Sequence, residues 1–227
     1  MYTAPEDEMN RKKDIIKCIN SIAGKYSAYE VFTDWIRCGA LSISNSLHII
    51  HDKVWQEREQ MYIDTMKKYT SEERMKMVKM FEMLVETMEY EITDVLGEIY
   101  MEADMGSKAA GQFFTPFHLS KLCAELTDYI PDVSGKFMIN EPSCGSGGMI
   151  IAAAAVLKEK GINYQQCMEV VAQDLDWKGV YMCYLQLSLI GINAVCVQGN
   201  TLSDPYIHGK TERSHVLYTP ARMGVLL

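Results

Sequence analysis

Between Lys136 and Lys160 the chain passes from a short apolar stretch, through Glu141-Pro142 and a turn with three glycines in four residues, into an alanine-rich stretch. A strand that ends in an acid, a turn that uses glycine's access to positive φ, and a helix that opens straight after it leave few architectures. Such a turn sits at a strand end and lets a neighbour or ligand come close to the backbone. Gly145-Ser146-Gly147 does not complete the G-x-G-x-x-G spacing of a dinucleotide site, and no Gly-Lys-Ser/Thr of a phosphate loop follows.

The residues after this turn keep alternating. Strands are predicted at 136–141, 169–173, 194–198 and 215–219, with helices at 149–160 and 177–189 between them. Strands joined through helices imply crossovers and a parallel sheet, which takes ligands at the carboxyl ends of its strands. The first half of the chain reads differently. Thr70-Ser71-Glu72-Glu73 has the form of a capping box, and Met77, Phe81, Leu84, Met88, Ile92, Leu96 and Ile99 then recur at helical spacing as a single apolar face. Tyr29, Phe32, Ile36, Ala40 and Ile43 form a second such face, and 9–24 and 51–69 are predicted as further helices. The 16 methionines read as filling for a helical core. The expected organisation is a helical region over 1–105 and an α/β domain over 106–227.

Composition removes several classes of protein. No apolar run approaches the roughly 18 residues of a membrane span, and Met1–Lys13 is too polar for a secretory signal. Seven cysteines, none paired as C-x-x-C, favour a reducing cytoplasm and predict neither a disulfide framework nor a metal site. Residues 1–105 hold 20 acids against 13 bases, and 106–227 hold 10 against 9. So acidic a first half is a poor match for a phosphate backbone, and any grip on nucleic acid must come from a local patch or a partner.

Three further pieces flank the glycine turn. Upstream, Gly111-Gln112-Phe113-Phe114-Thr115-Pro116 predicts a helix start, with Thr115 as cap and Pro116 in first position. Downstream, about 30 residues on, Asp174 closes the second strand, where an acid can accept hydrogen bonds from ribose hydroxyls or cap a helix. Gly199-Asn200-Thr201-Leu202 follows the third strand, and Asn200 could meet a base edge or make a turn.

In order, these pieces resemble the cofactor motifs of adenine-specific (N-6) DNA methyltransferases, above all the modification subunit of type I restriction–modification systems. Asp94-Val95-Leu96-Gly97-Glu98-Ile99-Tyr100 is similar to that family's lead-in helix, and the resemblance covers about residues 92–224. It implies an α/β, Rossmann-like S-adenosylmethionine-dependent methyltransferase fold. The expected strand order is 3-2-1-4, and a helical bundle precedes the sheet. It also implies a cofactor site. Phe114, Thr115 and Pro116 would line one side. Glu141 and the backbone of Ser143, Cys144, Gly145, Ser146 and Gly147 would hold the methionine part. Asp174 would take the ribose, Leu175 would pack near the adenine, and Asn200 would meet its amino group. The setting it implies is the cytoplasm of a bacterium, with DNA reached through a partner or specificity subunit. A second copy or a different chain could cover the open edge of so short a sheet.

The family's catalytic motif, Asn or Asp followed by two prolines and an aromatic residue, is not intact. The corresponding stretch runs from His215 to Gly224; Pro220 replaces the Asn in one register and Thr219 in a register shifted by one, and neither supplies an amide or a carboxylate. Asp204-Pro205-Tyr206 is similar to the motif but lacks one proline and precedes the fourth strand; His208 and His215 are further candidates in name. No catalytic residue is assigned. Two functions stay open: an adenine methyltransferase that acts with a partner, and a cofactor-binding regulatory relative without the chemistry.

Overall fold

The computed structural model describes residues 5–103, 113–127, 129 and 131–225. Helices α1 (Pro5–Ile22), α2 (Ala28–Ser46), α3 (Lys53–Met66), α4 (Ser71–Tyr90) and α5 (Val95–Glu102) come first. Then follow α6 (Phe117–Glu125), β1 (Phe137–Glu141), α7 (Gly148–Glu159) and the single-turn α8 (Tyr164–Cys167). The chain continues as β2 (Met168–Asp174), α9 (Trp177–Leu189), β3 (Asn193–Gln198) and β4 (Val216–Tyr218). No helix among the described residues is long and apolar enough to cross a membrane.

The helix starts follow their capping chemistry. Thr70 accepts from the Glu73 N–H while the Glu73 carboxylate accepts from the Thr70 N–H, and Ser27 and Glu30 make the same reciprocal pair ahead of α2. Such caps satisfy backbone donors that the first turn leaves over. The long apolar face from Met77 to Ile99 is not one helix, however. It breaks at 91–94, because the Asp94 carboxylate accepts from the Gly97 N–H (3.0 Å) and so begins α5 as a new helix. Pro116 likewise, rather than Thr115, occupies the cap position of α6, and its carbonyl accepts from the N–H groups of Leu119 and Ser120.

Strands β1, β2 and β3 pair in parallel, with Ile139 beside Val170 and Val170 beside Ala194. α7 and α8 carry the chain from β1 to β2, and α9 carries it from β2 to β3. Helix α9 is buried all round between β2, β3 and the N-terminal α2, as its near-continuous apolar sequence requires. A single buried cluster therefore joins Ile15, Phe32, Leu84 and Ile99 of the helical region to Ile151, Val170 and Leu185 of the sheet region. Truncating one such leucine to alanine would cost about 2–5 kcal/mol.

The expected strand order 3-2-1-4 is corrected here. β1, β2 and β3 are consecutive neighbours, but β4 lies antiparallel on β3 instead of beside β1, giving the order β1-β2-β3-β4. The physical reason lies in the connection. A parallel return needs a crossover, usually helical, whereas residues 199–212 contain turns and no helix, so the chain doubles straight back. Val195, Val197 and Val216 then pack together under Tyr206 and Tyr218. Thr219 fastens the far end: its hydroxyl donates to the Ile192 carbonyl (2.7 Å) and accepts from the Ala194 N–H (2.9 Å). From the helical side, Arg58 donates to the Val216 carbonyl (2.8 Å). The outer edge of β1 carries no strand among the described residues.

Candidate functional site

The glycine turn after β1 is held from three directions. From within, the Glu141 carboxylate accepts from the Ser143 N–H (3.2 Å) and the Gly147 N–H donates to the Cys144 carbonyl (2.8 Å). From β2, the Cys144 N–H donates to the Gln173 carbonyl (2.9 Å) and the Gly145 N–H to the Asp174 carboxylate (2.8 Å). Gly145 (φ +51°) and Gly147 (φ +94°) both adopt the left-handed conformation. A Cβ on Gly145 would also come within 2.9 Å of the Phe114 ring. Glycine is thus required twice over, by backbone angle and by the neighbouring ring.

The third hold comes from the helical region. Asp94 is 2% exposed. Its carboxylate accepts from the Ser146 hydroxyl, from the Gln186 side-chain N–H (2.8 Å) and from Gly97. The same Gln186 amide donates to the Ser146 carbonyl (2.8 Å), while its oxygen accepts from the Leu96 N–H (3.0 Å). One carboxylate at the cap of α5 and one amide from α9 therefore pin the middle of the loop. Burial pushes the Asp94 carboxyl above its ordinary range, outweighing the lowering effect of its three donors.

Asp174 stands at the mouth of the loop. One carboxylate oxygen accepts from Gly145 and the other from the Asp176 N–H (2.9 Å), so each keeps a lone pair for a further donor. Leu175 beside it is exposed. The Asn200 oxygen accepts from the Leu202 N–H (3.0 Å), a turn-forming bond. Thr201 donates to the Pro142 carbonyl (2.7 Å) and joins this third loop to the glycine turn. Phe114 packs edge-on against Tyr100, at 5.1 Å between ring centres. Tyr100 in turn accepts from the Lys178 ammonium (2.9 Å), which is 4% exposed. Thr115 and Pro116 are exposed and line a cleft of about 1150 Å³ shared with Asp94 and Gly97.

The structure therefore gathers Phe114, Glu141, Ser143–Gly147, Asp174, Leu175 and Asn200 at the carboxyl ends of β1, β2 and β3. Gly111 and Gln112 of the upstream motif lie outside the described residues. Hydrogen bonding with Cys183 and burial push the Cys144 thiol well up, so the loop holds a neutral thiol and no nucleophilic thiolate. Asp94, Gln186 and Lys178 were not among the expected site residues. The apolar face that runs on through Ile92 and Leu96 hides the cap at Asp94, and nothing in the sequence aims its second oxygen at Ser146.

The remaining candidates are scattered. Thr219, Pro220 and Arg222 lie at the opposite end of the sheet, where Arg222 donates to Asn193 (3.3 Å) at the start of β3. Asp204-Pro205-Tyr206 is pinned through its backbone to the Gln173 side chain, with bonds of 2.8 and 3.0 Å. His208 contacts the Tyr206 hydroxyl, and His215 bonds Gln198 (2.7 Å) and stacks on Trp177. No cluster of potential metal ligands occurs among the described residues.

A strand, glycine turn and helix held against an acid at the end of the next strand, with helices carrying the crossovers, define a Rossmann-like α/β fold. Residues 91–221 match the sequence model of the N-6 DNA methylase family, and the chain belongs to that family. Among curated relatives, it is 33% identical over 93 residues to the type I restriction enzyme MjaIX methylase subunit of Methanocaldococcus jannaschii. The matched segment covers 39% of this chain and 16% of that one, so the chain spans a small part of its relative's length. Among solved structures, it is similar to a Listeria monocytogenes protein described as a class I S-adenosylmethionine-dependent methyltransferase. That similarity has a TM-score of 0.49 at 12% identity, covering 87% of this chain and 56% of the other.

Proposed function

We propose that this chain binds S-adenosylmethionine at the carboxyl ends of β1 and β2 and takes part in N-6 adenine methylation of DNA with a partner chain. The observation that carries the reading is the Asp174–Gly145 bond (2.8 Å), which sets a carboxylate with spare lone pairs at the mouth of a glycine turn. The donor set fits the cofactor: an acid for ribose hydroxyls, exposed Leu175 for the adenine, and loop amides without a lysine or arginine that would call for phosphate. The cofactor supplies an activated methyl group when bound. The protein's own part is to orient it, with Asp174 on the ribose, Glu141 and the 143–147 backbone on the methionine part, and Phe114–Pro116 alongside.

The need for a partner is supported by charge and by distance. The first 105 residues carry 20 acids against 13 bases, so the chain alone is a poor grip for DNA. Thr219 and Pro220, which stand where the family carries its amine acceptor, are at the far end of the sheet from Asp174. The relative from M. jannaschii is named a subunit. The domain reading fits this division of labour: 1–105 as a helical support and 106–227 as the cofactor-binding part. The same displacement of Thr219 favours a second reading, a regulatory relative that holds the cofactor and transfers nothing.

Calorimetric titration with S-adenosylmethionine tests the common ground of both. Saturable binding is expected, weakened about a hundredfold or more by Asp174→Ala, since charge-assisted bonds to two hydroxyls are lost. A folded protein that takes up no cofactor overturns the proposal. Methylation of DNA by the chain together with a partner would select the first reading; cofactor binding with no transfer in any such pair would select the second.

A further inference from the structure

The loop that receives the cofactor is not held by the sheet alone. Its centre, Ser146, is 2% exposed and is bonded through its hydroxyl to Asp94 and through its carbonyl to Gln186. Asp94 caps α5, Gln186 belongs to α9, and Gln186 also accepts from the Leu96 N–H inside α5. The space around the carboxylate is closed tightly: a Cβ on Gly97 would lie 2.2 Å from it, and one on Gly148 would lie 2.9 Å away. On its other side the same residue pair, Asp94 and Gly97, lines the large cleft beside Thr115 and Pro116. Asp94 therefore touches the loop, the start of α5 and the cleft wall at once.

We propose that Asp94 is a positioning residue for the cofactor loop, and that the Asp94–Ser146–Gln186 junction makes the loop's conformation depend on the N-terminal helices. Three donors converge on one buried carboxylate: the Gly97 N–H, the Gln186 amide and the Ser146 hydroxyl. Removing the carboxylate takes that acceptor from all three, and Ser146 keeps only the Gln186 bond to its carbonyl. The bonds from Cys144 to Gln173 and from Gly145 to Asp174 then remain as its attachments to β2. Displacement of α5, whether by a partner on the helical region or by a ligand in the cleft, would move Asp94 and loosen the loop by the same route. The junction thus gives the helical half of the chain control over the readiness of the cofactor site.

The inference deepens the cofactor reading above, and its first readout needs no cofactor. Amide exchange of the full chain, followed by mass spectrometry without ligand, reports on residues 141–149 directly. In Asp94→Ala this segment is expected to exchange about tenfold faster or more, while the β2 and β3 amides change only with global stability. Asp94→Asn, which keeps an acceptor for Gly97 and Gln186, should hold loop exchange within about threefold of the parent. Should Asp94→Ala not fold, Ser146→Ala removes the hydroxyl alone and is expected to free the segment about tenfold. The double variant Asp94→Ala/Ser146→Ala should add little to either single change, because both break one junction. Loop exchange that is unaltered, or that moves only in step with β2, overturns the proposal.

The second readout is calorimetric affinity for S-adenosylmethionine, expected to fall about tenfold in Ser146→Ala under conditions where the variant stays folded. Cofactor affinity that is unchanged in a variant whose loop is freed also overturns the proposed control. A parent protein that binds no cofactor refutes the functional reading, and the exchange experiment still decides the positioning role.

Discussion

The two ends of the sheet spend the same kind of chemistry on opposite tasks. At the carboxyl ends of β1 and β2, Asp174, Glu141 and Asp94 all accept from backbone or hydroxyl donors of the glycine turn, holding a loop open at a strand end. At the other end, Thr219 donates to Ile192 and accepts from Ala194, closing β4 against β3 with its hydroxyl fully buried. A polar residue at a strand end is thus informative only with its partners. One arrangement keeps unused lone pairs at the mouth of a loop; the other buries its hydroxyl within the fold.

Four changes would break or sharpen that contrast. The largest effect is expected from Gly97→Ala, which drives a Cβ to 2.2 Å from the Asp94 carboxylate and 2.7 Å from the Ser146 hydroxyl. Urea unfolding should show a loss of about 3 kcal/mol, against less than about 0.5 kcal/mol for Gly24→Ala, which meets nothing within 4 Å. Equal costs for the two would mean that the Asp94 cradle is not close-packed. Next comes Thr219→Val, which keeps the shape but strands the Ala194 N–H. It should cost about 2 kcal/mol of stability and leave cofactor affinity untouched. A drop in affinity would place Thr219 at the working end after all.

Thr70→Ala should cost about 1 kcal/mol through the lost capping box, again with no effect on cofactor binding. The smallest effects concern pH and differ in sign between surface and interior. Backbone hydrogen bonds hold Glu30, Glu73 and Asp52 below their ordinary values, so their stabilising contribution is present above those values and is lost as pH falls through the lowered ones. Asp94 is raised by burial, so its contribution is full below the ordinary value of 3.8 and is lost as pH rises through the raised one. The difference in melting temperature between the parent and Asp94→Asn should therefore shift against the parent as pH rises above 3.8. A difference independent of pH would show that Asp94 titrates alike in both states.

Much of this site was legible because glycine, acid and strand end coincide in sequence. The turn at 145–148 and the capping box at Thr70 act within a few residues of where the chain displays them, and Asp174 declares itself by closing a strand although it bonds Gly145 29 residues away. The Asp94–Ser146 bond spans 52 residues and the Asp94–Gln186 bond 92, distances over which no spacing rule speaks. The break between α4 and α5 was hidden by the continuing apolar face, since Ile92 stays buried across the gap. The position of β4 could have been read from residues 199–212: Asp204-Pro205 and Gly209 mark turns without helical periodicity, and a helix-free connection favours an antiparallel return. That local signal, and not the strand order implied by the family resemblance, gives the place of β4.

The Arg58 contact with β4 carries a consequence for the order of assembly. Its guanidinium reaches the carbonyls of Arg213 and Val216, 155 and 158 residues further along the chain. During synthesis the helices emerge first, and Arg58 waits in water for carbonyls not yet made. Contacts of such sequence separation cost the most chain entropy and form late. The closing of β4 over β3 is therefore expected late in folding, once Arg58 and residues 213–216 are both present.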